Sequence, residues 1–358
     1  MSREIELPPG VLQPREAVLR MQPYSPPTSG RLGKLRLDFN ENTIGASPRV
    51  IEALLEYLTE ERLAVYPEYR AAKQELAAFF GVEPEDFILT NGTDEAIQVL
   101  INTYVDDGGE VVSLRPSYAM YRFYAEVAGA EVREIPYRRE KLAFPLEELL
   151  DAISPVTRAV LISNPNNPTG TGTSRAGIER VLEKATNAAV LIDEAYYEFS
   201  GVTTLGLIND YPNLFVSRTF SKVYGMAGMR IGCLFSQSEN VEFLHKAQSP
   251  YSVNTVAAVA ARAAVQDTAF VETYVTEVLA ARELLYVGLE ELGIPYYESR
   301  ANFVLFDAGE RAIFIRDELR AQGVLVRDRS YEIPGCVRVT VGTRDQVRRF
   351  LKELREIW

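Results

Sequence analysis

The chain has 358 residues, of which 47% are hydrophobic and 25% charged, a balance that suits a globular protein large enough for two core-bearing domains. A formal net charge of −12 argues against nucleic acid or an anionic membrane as partner, so any anion site has to be built locally. Cys233 and Cys336 sit far apart in apolar surroundings and make neither a metal-spaced cluster nor a disulfide framework; the charged start MSREIELPPG, with no apolar run of about 18 to 20 residues, fits an unexported cytoplasmic protein.

Residues 1–34 carry six of the 19 prolines and little periodicity, so they read as an extended arm. From about residue 48 the pattern is helical (PRVIEALLEYL). Short apolar runs then alternate with amphipathic stretches: FILT, EVVSL, TRAVLIS, AAVLIDE, LFVSRT and RIGCLF. Strands separated by helices predict an α/β fold around a mostly parallel sheet buried on both faces. A helical tract at about 255–292 follows, after which ANFVLF, GVLV and VRVTV interleave with helices at about 310–322 and 344–356. That tail is too short for a second doubly wound sheet and reads as a smaller α+β domain. The expected division is an arm that joins the small domain (1–44), a large domain (45–265) and a small C-terminal domain (266–358).

In open α/β sheets ligands bind where strand ends lead into helices, and four polar clusters fall at such places. In ILTNGTDEAIQVL the strand gives way to Asn91, Gly92, Thr93 and Asp94. This is either an anion site on free N–H groups or an ordinary helix capped by Thr93. SNPNNPTG, Ser163 to Gly170, is a rigid turn with more asparagines than a turn requires, Asn167 among them. In VLIDEAYYEF the buried strand ends on Asp193, with Tyr196 three residues on; such a carboxylate needs a partner, either an arginine of the fold or something bound. The fourth, SRTFSKVYGMAGMRIG, sets Lys222 among Thr219, Ser221 and Arg230 just past another strand. An amine, a buried acid, hydroxyl and amide donors, an arginine and a helix N-terminus are together the groups needed to hold pyridoxal phosphate.

The chain resembles the fold-type-I aminotransferases, and within them the histidinol-phosphate aminotransferases. The resemblance runs through LDFNENTIGASP, YPE, NGTDEAI, PSYAMY, PNNPTG, DEAYYEF, RTFSKVYGMAGMRIG, SRANFVLF and VRVTVGT, nearly the whole sequence. It implies that Lys222 links to the aldehyde of pyridoxal 5′-phosphate and shuttles the proton, its pKa lowered by desolvation and by Arg230. It further implies that Asp193 pairs with the ring nitrogen, that Asn167 and Tyr196 donate to the ring oxygen, and that Tyr118 stacks on the ring. The phosphate would rest on N–H groups near Gly92, Thr93 and Asp94, on Thr219 and Ser221, and on Arg230. Tyr66, in VYPEY, would reach the cofactor of a second subunit, so that a homodimer shares its sites. The partners implied are a small-molecule amino donor and a 2-oxo acid. Arg327 and Arg338 resemble the substrate-binding arginines, with Tyr24, Asn42 and Asn302 completing the pocket.

Thr43 and Ile44 stand where the family commonly has proline and an aromatic or small residue, which leaves that loop's substrate contacts open. The only histidine, His245, lies on a polar-flanked helix and reads as structural. An aromatic amino-acid aminotransferase and a threonine-phosphate decarboxylase share the same framework. A dinucleotide-binding dehydrogenase fits poorly, because GMAGMRIG leads into an apolar run instead of opening a helix.

Overall fold

A computed structural model describes residues 10–23 and 29–358. Its strands, in chain order, are β1 (Leu35–Arg36), β2 (Phe87–Thr90), β3 (Glu110–Arg115), β4 (Glu131–Pro136), β5 (Thr157–Ser163), β6 (Ala189–Asp193), β7 (Leu214–Thr219) and β8 (Gly232–Phe235), followed by β9 (Tyr296–Tyr297), β10 (Phe303–Asp307), β11 (Val324–Leu325), β12 (Arg327–Asp328) and β13 (Cys336–Thr340). Seven of them form one sheet in the order β2-β8-β7-β6-β5-β3-β4, in which β8 runs antiparallel to both neighbours and the other pairings are parallel.

The six apolar runs expected as sheet strands are all there. Four of them, β2, β6, β7 and β8, are buried at every position, as befits a sheet with helices on both faces. Alternate residues divide between two cores. Val160, Ile162, Val190, Ile192, Leu214 and Val216 enter one, while Ala159, Leu161, Ala189, Leu191 and Phe215 enter the other. The seventh strand, β4, was not expected: EVREIP breaks its apolar pattern with charges because it lies at the sheet edge, where every position but Ile135 is exposed or half-buried.

A second, four-stranded sheet has the order β12-β13-β10-β9, all antiparallel, and is flanked by helices Ala312–Ala321 and Arg344–Ile357. The last helix packs on the 24-residue helix Thr268–Glu291 and opens with a reciprocal cap between Thr343 and Gln346. GVLV is not the single strand that its composition suggests. The chain changes partners at Val326, so that β11 pairs in parallel with β1 and β12 pairs with β13. The N-terminal arm also departs from a purely extended segment: Glu16–Leu19 forms one helical turn beside helix Ala119–Ala128, and Arg15 Nη1 donates to the Val127 carbonyl at 3.2 Å. Further on, the Leu37 N–H donates to the Leu325 carbonyl at 2.8 Å and the Leu37 carbonyl accepts from the Thr340 N–H at 2.9 Å, tying residues 35–40 to the smaller sheet.

Candidate active site

The direction of β8 determines which groups can meet. Because it alone runs backwards, its start shares an edge with the C-terminal ends of β2, β3, β5, β6 and β7, and Arg230, two residues before β8, is brought to the same edge as the four predicted clusters. A cavity of about 250 Å³ opens there. Thr93, Asp94, Tyr118, Asn167, Asp193, Tyr196, Thr219, Ser221, Lys222 and Arg230 all line it, together with Arg31, Phe39 and Glu41.

Asp193 is 3% exposed and has no cation within ion-pair distance among the described residues. Its Oδ2 accepts from the Tyr121 hydroxyl at 2.8 Å and its Oδ1 from the Ser217 hydroxyl at 2.9 Å. Burial raises its pKa, and these two donors oppose the rise. The internal ion pair that a carboxylate here could have made belongs instead to the next residue: Glu194 meets Arg218 Nη2 at 2.8 Å and accepts from the Thr203 and Thr204 hydroxyls and the Thr204 N–H.

Lys222 reaches into the cavity, and its Nζ donates to the Phe39 carbonyl at 3.0 Å. Its pKa is pushed down to about 8, first by burial and then by Arg338, with Glu41 and Asp94 opposing. The sequence pointed to Arg230 as the neighbouring cation; its contribution is the smallest of these. Arg230 Nη2 meets Asp94 Oδ2 at 2.9 Å, and the residue itself sits in the left-handed region at φ +54°. Such a backbone is costly for a side-chain-bearing residue and is found where the surroundings enforce it.

Helix Gly92–Tyr104 starts at this end of the cavity. Asn91, not Thr93, is its N-cap, and no side chain caps it, so the ordinary capped-helix alternative fails and the first-turn N–H groups carry no side-chain cap. Gly92 has φ +74°, and a Cβ there would lie 2.5 Å from Arg230 Nη2. Only glycine lets the guanidinium lie against the helix start. The hydroxyl-bearing Thr219 and Ser221 complete this end, the Thr219 hydroxyl accepting from the Ser221 N–H at 3.1 Å.

The other predicted residues divide. Tyr118 donates to Asp94 Oδ1 at 2.7 Å, and the Tyr196 hydroxyl accepts from Asn40 Nδ2 at 3.0 Å, which leaves the Tyr196 proton available. Asn167 Oδ1 accepts from Arg338 Nη1, and Arg338 Nη2 donates to the Asp38 carbonyl at 2.6 Å. Arg327 is the cross-strand partner of Arg338, and its guanidinium stands 5.4 Å from the Phe39 ring centre. Neither arginine lines the cavity wall itself. Asn302 is fully buried and donates to the Asn40 carbonyl at 3.1 Å, so it supports Asn40 and does not reach the cavity. Asn42 is also turned away. Its Nδ2 donates to the Val223 carbonyl at 2.7 Å and its Oδ1 accepts from the N–H groups of Ile44 and Gly45, so the loop that departs from the family pattern is held by Asn42 and by the Thr43 N–H on Tyr274. Tyr66 is 78% exposed and stacks on Tyr251 outside the cavity of its own chain. Tyr24 lies outside the described residues.

Sequence reasoning missed Tyr121, Ser217, Asn40 and Arg329. Tyr121 follows Tyr118 by three positions at a helix start, a spacing that places both on one face, and this was the one signal available for it. Arg329, 7% exposed, joins Arg338 and Arg327; burial, then Arg329 and, more weakly, Arg327 act against the charge of Arg338 and lower its pKa to about 10.

The sequence pattern of the family described as aminotransferase class I and II matches residues 33–354. The chain belongs to the class I and II aminotransferases. Enzymes of this family work with pyridoxal 5′-phosphate, and that is its cofactor. The chain is 38% identical over 355 residues to a histidinol-phosphate aminotransferase of Symbiobacterium thermophilum, covering 95% of this chain and 97% of the relative. It is 35% identical to one of Moorella thermoacetica over 96% of this chain and 92% of that one. Among solved structures, a putative histidinol-phosphate aminotransferase from Erwinia carotovora atroseptica superposes with a TM-score of 0.84 at 27% identity, covering 90% of this chain and 96% of that chain. These likenesses agree with the fold-type-I architecture seen here. The cavity suits the cofactor by its own chemistry: a buried carboxylate without a cation, an amine close to neutrality, and an uncapped helix start where a glycine makes room for a guanidinium.

Proposed function

We propose that this aminotransferase moves an amino group between histidinol phosphate and 2-oxoglutarate, a step of histidine biosynthesis, as a cytoplasmic homodimer whose subunits divide into the arm (1–44), large (45–265) and small (266–358) domains expected from the sequence. The observation that carries the substrate assignment is the cross-strand pairing of Arg327 with Arg338, two guanidiniums of which that of Arg338 donates to Asn167 in the wall of the cofactor cavity. A site that must take a phosphate in one half-reaction and carboxylates in the other is served by such forks, which bind either group bidentately. Relatives that carry the histidinol-phosphate aminotransferase name at 34–38% identity over nearly the whole chain support the same reading.

The cofactor supplies an aldehyde for the amine and a ring that draws off the electron pair left on the substrate carbon; the remaining work falls to the chain. Asp193 would hold the ring nitrogen protonated, and Tyr121 and Ser217 fix its carboxylate for that contact. Asn167 and Tyr196 would donate to the ring oxygen, and Tyr118 would cover the ring. Arg230, Thr219, Ser221 and the first N–H groups of helix Gly92–Tyr104 would bind the phosphate. Lys222 would take the proton from the substrate Cα, which its lowered pKa allows near neutral pH. Exposed apolar side chains between Ile51 and Tyr66, among them Leu55 at 73% and Val65 at 63%, support a dimer face that carries Tyr66 to a second subunit's cofactor.

Amino transfer to 2-oxoglutarate from histidinol phosphate, phenylalanine and threonine phosphate tests the assignment. Histidinol phosphate should give the highest kcat/KM by at least tenfold. Preference for phenylalanine, or loss of carbon dioxide from threonine phosphate, overturns it.

A further inference from the structure

A second and larger cavity, of about 710 Å³, lies on the opposite face of the sheet from the cofactor site. Strand alternation explains the separation. Ser217 and Thr219 turn to the cofactor side, and Arg218 between them turns the other way and lines this cavity. Its wall is largely apolar, with Phe80, Leu205, Tyr224, Val265 and Val271 contributing, and its size is that of a small-molecule pocket.

Glu198 also lines it, and its carboxylate takes part in no ion pair and no hydrogen bond to another side chain among the described residues. Burial pushes this carboxyl up to about 7; Arg218 opposes the rise and Glu194 adds to it. Arg218, the cation in the same wall, is already committed. Its Nη2 meets Glu194 at 2.8 Å and donates to the Thr203 hydroxyl at 2.9 Å, and its guanidinium stacks 3.5 Å from the centre of the Tyr197 ring. The remaining charges around the space, Asp86 and Glu272, are negative. Arg218 therefore offsets the charge of Glu198 only at a distance and without an ion pair, and a partner that brings its own positive charge together with an apolar body would satisfy it.

We propose that this cavity is a binding site for a small apolar ammonium compound, seated with its cationic nitrogen on Glu198 and its body against the apolar wall. The site is separate from the cofactor chemistry, since no residue lines both cavities.

The probe is N,N-dimethylbenzylamine, a tertiary amine that stays protonated at neutral pH and cannot condense with the cofactor aldehyde. Calorimetric titration of the holoenzyme should show one site per chain whose affinity rises about tenfold from pH 6 to pH 8, following the ionised fraction of a carboxyl with a pKa near 7. Benzyl alcohol and phenylacetate should bind at least tenfold more weakly. Glu198→Gln should remove the pH dependence and cost at least tenfold in affinity. Gly206→Leu gives a second, independent variant: Gly206 lines the cavity, a Cβ there meets nothing within 4 Å, and a leucine would occupy the space while leaving Glu198 intact. It should block binding. The proposal is overturned if the amine binds both variants as it binds the parent, if it fails to bind the parent at millimolar concentration, or if the neutral or anionic analogue binds as tightly.

Discussion

Asp193 and Glu194 are consecutive carboxylates, both almost fully buried, at the end of one strand, yet they face opposite sides of the sheet and live under opposite electrostatic rules. Glu194 is answered within the fold by Arg218, two threonine hydroxyls and an N–H. Among the described residues Asp193 is answered by two hydroxyls, Tyr121 and Ser217, and more weakly by the Ala195 backbone, with no cation in ion-pair contact. Hydroxyls orient a carboxylate without neutralising it, so the desolvation cost at 193 is not offset by a cation as it is at 194. The fold could have supplied a second arginine and did not. A buried acid held ready but unpaired is a binding feature, whereas the paired acid beside it is a structural one, and their sequence context, a single Asp-Glu step, is the same.

The sharpest break in this comparison comes from exchanging each acid for its amide. Asp193→Asn should lower kcat by about a thousandfold or more, because the buried group proposed to face the cofactor nitrogen loses its charge. Glu194→Gln should leave kcat per folded molecule within a few-fold. Steady-state kinetics on both variants, normalised to cofactor content, check the pair of outcomes.

Next in size is the anion end of the substrate pocket. Arg327→Lys keeps the charge and loses the fork, so kcat/KM for histidinol phosphate should fall by roughly 10- to 150-fold, equivalent to about 1.5 to 3 kcal/mol, with a smaller loss for glutamate. An unchanged value for histidinol phosphate would make Arg327 a surface charge.

Lys222 mirrors Asp193: a cation held with a carbonyl and, among the described residues, no carboxylate in ion-pair contact. Burial and Arg338 penalise its ammonium form, so the neutral amine gains as pH rises through about 8, well below the usual lysine range. Capture of pyridoxal phosphate by the cofactor-free enzyme, followed by visible absorbance in stopped flow, should accelerate about tenfold from pH 7 to pH 9 and then level off. A rate still climbing tenfold per unit above pH 9 would show an ordinary lysine.

The smallest effect expected is that of Tyr121→Phe. It deletes the largest of the hydrogen bonds that hold the Asp193 pKa down, so the carboxyl should move up and the acid limb of the kcat profile should shift to higher pH. The loss at the optimum should be near fivefold, or about 1 kcal/mol.

Much of this site was legible in the sequence because its residues stand immediately after strongly apolar strands, where a lysine or an aspartate has little structural excuse. Asp193, Lys222 and the Asn91–Asp94 turn were visible for that reason. What could not be read is which groups from distant segments meet them. Arg338 outweighs Arg230 beside Lys222 because β13 and the 35–40 segment fold over the same edge, a pairing between sheets that no local pattern carries. Asn42 and Asn302 were placed in the pocket by the family resemblance, but their amide N–H groups donate instead to the Val223 and Asn40 carbonyls. β4 escaped because an edge strand needs no continuous apolar run.

The direct test of the contrast between the two acids is the urea unfolding of cofactor-free Asp193→Asn and Glu194→Gln beside the cofactor-free parent. With the cofactor removed, Asp193→Asn should be at least as stable as the parent to within about 1 kcal/mol, because it discards an uncompensated buried charge, whereas Glu194→Gln should lose about 3 to 5 kcal/mol by orphaning Arg218. Equal destabilisation of the two variants would contradict the account, for it would mean that the fold relies on Asp193 as it relies on Glu194.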